Sequence, residues 1–526
     1  MRRFVFAAIA IGSVSAPLVA CGSAAEEVPG IGVDGGTRPT PGAPPAPSSS
    51  GSSAPSADAA PPPPPSDGGK PAEPPAPPPK ADEITEQQGI FVALNGAAGA
   101  PGTRQAPLQS IAEAIAKAEA DAKGRVFVCE GTYLEAIELA NGISLVGGLD
   151  CSGPTWKLTD KRSAIESPTS PAIRASGITR ATRLDHFNVV APDAATPSGS
   201  SIGLLAVDSN ALTFANGSIR AGSGMKGDDG VEGAQLVAFS AFSAEAGVPY
   251  GALPSGVLPV PRDGGRGGIT QCLRPDMTLF KVANGGSGGP SGVFNRSTSG
   301  AEWVAIPGGS FVSRGAVTPA GANGVNGASS TGGQLGEEGY VPGDGTPGTD
   351  GDVGTGGNGG NGQPPPQISY SGVGRHYGTT GPGGGAGGCP GLAGTAGKGG
   401  GASFGAALVR SPVRFDTVVV ESANGGAGGR GAIGSNATPG SKGGNDNVFT
   451  ADDTKSYPGG AGGTAGISGS GAGGPSIAIA YQGLAPIQTQ TTTRFGIGGA
   501  GVDAVTQGGR TLPASPSGAA TGAKSL

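Results

Sequence analysis

Apolar and polar positions alternate in recognisable patterns only from about residue 85 onward. "GIFVAL" (89–94) reads as a strand. In "APLQSIAEAIAKAEADAKG" (106–124), Leu108, Ile111, Ile115 and Ala118 fall at i, i+3, i+7 and i+10, which is one apolar stripe of a helix, with Gly124 as its stop. The apolar runs "RVFVC", "AIEL" and "ISLVGG" then recur too closely for strand–helix–strand crossovers. "SSIGLLAVDSNALTFANGSIRAGSGMKG" (201–228) holds a strand, a turn and a longer strand, and then turns into glycine.

That last pattern returns at 403–429 and 476–501, and a related unit stands at 171–193. The distance is 21 positions from Ser201 to Gly222, 22 from Ser403 to Gly425 and 22 from Ser476 to Gly498. A period in the twenties predicts solenoid coils, each unable to bury its inner face alone. Stacking is expected to set Leu205, Leu212, Phe214 and Ile219 against Leu408, Val413, Phe415 and Val420. The glycine-rich stretches then read as excursions that leave the coil at one corner and return to build the next coil. Solenoids carry such insertions on one face, often the binding face.

Composition sharpens this picture. Gly is 105 of 526 residues, Pro adds 48, and aromatic residues are only 5%, so a modest core with long glycine-rich excursions is expected. The net charge of −6 comes from scattered residues with no basic stripe, so nucleic acid is not an expected partner. Residues 21–84 include "TRPTPGAPPAPSSSGSSAPSADAAPPPPPSDGGKPAEPPAPPPKAD" and cannot bury a core. They read as a disordered, extended tether, long enough to span roughly 100 Å or more at about 3.1 Å per residue.

The first residues, "MRRFVFAAIAIGSVSAPLVACGS", have two arginines, a short apolar run and then Leu18-Val19-Ala20-Cys21. The run is too short for a spanning helix. It resembles the lipobox of bacterial lipoproteins. The resemblance implies removal of residues 1–20 as a signal peptide and lipidation of Cys21, with the membrane as partner through that lipid. Gly22 after the cysteine points to the outer membrane or cell surface. The remaining cysteines are Cys129, Cys151, Cys272 and Cys389. An even number in an exported chain suggests two disulfides. Three pairings exist; nearness in sequence favours Cys129 with Cys151, leaving Cys272 with Cys389.

Residues 89–192 resemble the start of right-handed parallel β-helix proteins of the pectate-lyase-like superfamily. "GIFVALNGAAGAPGTRQAPLQSIAEAIAKA" matches their opening strand, turn and capping helix, with "APGT" in place of Asn-Pro-Gly-Thr. "RVFVCEGTY" and "GISLVGGLDC" match the following two motifs. Together with the lipobox and tether, they resemble poorly characterised glycine-rich bacterial surface lipoproteins, in which a cysteine pair at the positions of Cys129 and Cys151 is usual. The expected fold is all-β: a right-handed parallel β-helix with an N-terminal capping helix and long glycine-rich insertions. The expected division is coils at 85–221, an insertion at 222–402, a coil at 403–424, an insertion at 425–475 and a last coil with its tail at 476–526.

The resemblance also raises chemistry, because β-helix lyases and hydrolases use clustered carboxylates on one coil face. At the equivalent place in the copies stand His186, Thr213 and Arg414, while Asp185, Asp208 and Asp416 are not expected to share a register. Asp185-His186 is the best single candidate and reads as a surface-facing polar pair. The acidic spots Asp228-Asp229, Asp344, Asp350-Gly351-Asp352, Asp446 and Asp452-Asp453 do not follow a calcium repeat and read as solvated turns. Gly345, Gly348, Gly351, Gly354, Gly357 and Gly360 stand three apart, which suggests short extended segments side by side or disorder, not a collagen trimer. Phe239, Phe242, Phe280 and Trp303 are expected to pack a small satellite fold, with sugar stacking as the other role. No catalytic residue, metal or cofactor is assigned. The expected function is a non-enzymatic envelope lipoprotein with a structural, adhesive or polysaccharide-binding role. The alternative is a polysaccharide lyase or glycoside hydrolase, and a third reading is an antifreeze or matrix-like coat of ordered glycine helices.

Overall fold

The computed structural model describes residues 83–249, 251–252, 262–291, 293–297, 300–304, 318–363, 375–445, 455–507 and 510–526. Residues 1–82, with Cys21 and the expected signal peptide and tether, lie outside the described residues, as do Asp446, Asp452 and Asp453.

The described chain is mostly β, built on two parallel sheets that share one core. One sheet runs in the order Ala520–Ser525, Ser476–Gln482, Ser403–Val409, Ser201–Val207, Ile173–Ser176, Ile137–Leu139. In the other, Leu212–Arg220 has Thr182–Asp185 and Phe187–Val190 on one side and Arg414–Glu421 on the other. From Ile173 to Ser525 the chain visits the two sheets in turn. The three repeat copies stack with Ser201, Ser403 and Ser476 in one column. Phe214 faces Phe415 and Ile219 faces Val420, all buried. One expected partner is off by a residue, since Leu205 pairs with Ala407, and Leu408 pairs with Ala206.

The first of these sheets explains a feature that alternation alone would miss. Every residue of Ser201–Val207 and Ser403–Val409 is buried. Leu204, Ala206 and Leu408 face the main core, while Ile202, Leu205, Phe404 and Ala407 face a second cluster that includes Leu335. The hairpin of Gln334–Gly336 and Gly339–Val341 supplies that cover, with Tyr340 edge-on to Phe404 at 5.6 Å. Burial there pushes the Tyr340 phenol up to about 12. Strands buried on both faces read as continuous apolar runs.

The helix spans Ile111–Ala120 and buries Ile111, Ala114, Ile115 and Ala118 against the core. Ser110 caps its start, and the Glu135 carboxylate accepts the amides of Ile111 and Ala112 at 2.7 and 3.0 Å. It stops before Gly124: Asp121 is the C-cap, and Ala122 takes the left-handed conformation at φ 52°.

The glycine-rich stretches form an ordered array. Segment 381–402 lies at its centre. The amides of Gly426, Gly429, Ala432, Ser435, Thr438, Ser441 and Gly444 donate, every third residue, to the carbonyls of Gly401, Lys398, Thr395, Leu392, Cys389, Ala386 and Gly383 at 2.7–3.3 Å. On another side, the amides of Gly385, Gly388, Gly391, Gly397 and Gly400 donate to Tyr457, Gly460, Gly463, Gly469 and Ala472. Segment 343–363 binds a third side through Gly345, Gly351, Gly354 and Gly357, and 224–231 a fourth. Three residues per turn with outward-pointing bonds is polyproline II geometry. None of the glycines in 381–402 has a positive φ, as polyproline II requires.

Close approach is the reason for glycine here. A β-carbon on Gly384 would run into the Gly357 carbonyl, and one on Gly401 into the Gly199 carbonyl. Each helix therefore needs glycine where it meets a neighbour and tolerates other residues elsewhere. Two disulfides complete the frame. Cys129–Cys151 lies beside Phe127 and Trp156, and Cys272–Cys389 ties the three-stranded antiparallel sheet Val237–Phe242, Ile269–Leu273, Leu279–Asn284 to the central glycine helix.

Candidate functional site

The strongest sequence candidate, Asp185-His186, is not a surface pair. Asp185 is fully buried. Its carboxylate accepts from Arg183 Nε and Asn216 Nδ2, both at 2.8 Å. His186 Nδ1 lies 2.8 Å from Asp185 Oδ1. Burial opposes the charge on Asp185, yet His186, Arg183 and Asn216 together outweigh it and hold its pKa below the usual carboxylate range. A carboxylate fully engaged in this way fixes a corner of the sheet.

The column through this corner also differs from expectation. Thr213 stacks on Arg183 and Arg414, whereas His186 stacks on Asn216, then Thr417, then Gln490. All four of these residues have positive φ, between 47° and 61°. The shared left-handed kink is what they have in common. Asp185 and Asp416 do occupy the same register, two strands apart with Ala215 between them. Asp208 stands at another corner, where Arg410 grips it with two bonds of 2.6 and 2.7 Å.

Three of the acidic spots in the array are occupied by its own backbone. Asp229 accepts the Arg430 amide, Asp344 the Gly399 amide and Asp350 the Ala393 amide, at 2.7–2.8 Å. Hydroxyls and amides do the same work: Ser435, Thr438 and Ser441 accept from Leu392, Cys389 and Ala386, and Asn323 and Asn326 from Thr464 and Ile467. Among the described residues, no group of three His, Cys, Asp or Glu is placed to hold a metal ion. The signal for this was in the sequence: polar residues recur at the glycine period, as in Ser435, Thr438, Ser441. A period-three capping role was the reading that was missed.

The surface the array presents is polar, with Asn323, Asn326, Asn436, Lys442 and Thr464 among its exposed positions. The satellite sheet adds exposed Phe239 and Phe242, and Phe280 sits under the Arg274 guanidinium at 4.9 Å. Trp303 belongs to strand Gly300–Val304, with its side chain outside the described residues. No described helix is long and apolar enough to cross a membrane. Comparison with protein-family models, with curated proteins and with solved structures finds no match to this chain.

Proposed function

We propose that this chain is a cell-envelope lipoprotein, anchored through Cys21, whose parallel sheets are coils of a right-handed β-helix and whose glycine array is a rigid slab displayed at the cell surface. Its role is structural, adhesive or polysaccharide-binding, without an enzymatic step. The observation that carries this reading is the array itself. Long insertions in a soluble enzyme usually end as lids or mobile loops. Here every third amide of segment 424–445 is bonded to the central helix, and the polar side chains cap neighbouring amides. Such a body holds its shape and offers a broad polar face, which suits display or contact with an extended polymer.

Two measurements test this. Membrane fractionation of cells making the full chain should place it with the envelope, and Cys21→Ala should release it; an unchanged distribution removes the anchor. The purified full chain in detergent is then mixed with insoluble envelope and plant polysaccharides. Retention without new reducing or unsaturated ends supports the reading. Product formation overturns it in favour of a lyase or hydrolase.

A further inference from the structure

A cleft of about 330 Å³ opens where the glycine helices 224–235 and 424–445 meet strand Arg510–Leu512. It is at the lower end of the range for small-ligand sites, about 300–1,000 Å³. Its walls are Glu232, Gln235, Asn436 and Arg510, with Ile433 as the apolar contribution. Asn436 is held from both sides. Its amide donates to Gln235 Oε1 at 3.2 Å, and Gln235 Nε2 donates back to the Asn436 carbonyl at 2.9 Å. Arg510 Nη2 donates to Asn436 Oδ1 at 3.2 Å, and its Nη1 to the Gly434 carbonyl at 2.7 Å.

This arrangement differs from that of the hydroxyl side chains on the same segment. Ser435, Thr438 and Ser441 spend their side chains on neighbouring backbone amides. Asn436 does not; its side chain is oriented by Arg510, which leaves both Nδ2 hydrogens to donate. Arg510 has five N–H donors, of which two are used in these bonds, and both acceptors are neutral. Glu232 adds carboxylate acceptors that make no hydrogen bond or ion pair among the described residues.

We propose that this cleft is a glycan subsite, taking one or two neutral sugar residues of a surface polysaccharide. The proposal rests on the polysaccharide-binding reading above and gives that reading an address. Donors and acceptors at close spacing suit vicinal hydroxyls, which both give and take hydrogen bonds. A cation and an anion on the same wall disfavour a uronate or phosphate polymer, and one isoleucine offers little to an apolar ligand.

The test uses the full chain in detergent and a panel of soluble gluco-, galacto-, manno- and N-acetylglucosamine oligomers, with oligogalacturonate as the charged comparison. Calorimetry is expected to detect a neutral oligomer. Asn436→Ala and Glu232→Ala should each weaken it at least tenfold, and Arg510→Lys should do likewise because it keeps the charge and loses the fork. Glu232 is exposed, so its variant should unfold at the wild-type temperature. Binding that all three variants retain overturns the subsite and leaves a polysaccharide-binding surface elsewhere. Binding of the charged oligomer alone also overturns it. No binding by the wild-type chain removes the subsite and the polysaccharide-binding reading together.

Discussion

Strand Arg414–Glu421 and segment 424–445 follow one another in the chain and are held in opposite ways. In the strand, Phe415, Val418 and Val420 are buried, and all positions but Thr417 pair in register with Leu212–Arg220. Three residues later the pairing with any one neighbour falls to every third amide, and the contact surface is made by glycine. The strand is stabilised by removing apolar area from water, at about 25 cal/mol per Å². The array is stabilised by satisfied backbone groups in close contact, where the absence of a side chain is the packing element. One chain can thus extend a small hydrophobic body with a second body that needs almost no aromatic residues.

The largest expected effect lies in the sheets. Phe415→Ala should cost about 3–5 kcal/mol, read from denaturant unfolding. Asp185→Asn should cost about 3 kcal/mol, because it leaves Arg183 without its buried partner. The folded pKa of Asp185 is depressed, so its contribution is present above the unfolded value of about 3.9 and is lost as pH falls through the folded value. The wild-type chain should lose that stability on acidification, and the Asn variant should not show this component.

In the array, Gly384→Ala should cost about 1–3 kcal/mol, since the methyl meets a backbone carbonyl that cannot rotate away. Gly124→Ala is the control: nothing lies within 4 Å of its β-carbon, and the change should stay within about 0.5 kcal/mol. A similar cost at both positions would mean that close approach is not what selects glycine. Thr438→Val should cost about 1 kcal/mol, because it strands the Cys389 amide while keeping the shape of the side chain.

The sheets were largely legible because apolar periodicity encodes them. Leu108, Ile111, Ile115 and Ala118 form the buried stripe that their spacing predicts, and the serines at 201, 403 and 476 mark the true register. The one-residue slip at Leu205 arose because a strand buried on both faces gives no alternation to set its phase. The helix end was misplaced because Ala122, not a glycine, adopts the left-handed turn. Asp185 was misjudged because its burial depends on Arg183 and on Asn216 from the neighbouring parallel strand, contacts that the sequence does not announce. The array was hardest. Its period of three was visible from Gly345 to Gly360, but which segments lie together depends on pairings such as Gly400 with Ala472 and Gly401 with Met225, tens to almost two hundred residues apart.

The measurement that goes most directly to the central claim is native-state hydrogen exchange resolved to single amides across 381–402. Bonded amides such as Gly385, Gly388, Gly391, Gly397 and Gly400 should be protected to an extent comparable with those of strand Ser403–Val409. Exchange of these glycines at the rate of an open chain, beside protected strands, would contradict the array and reduce the glycine-rich segments to loops.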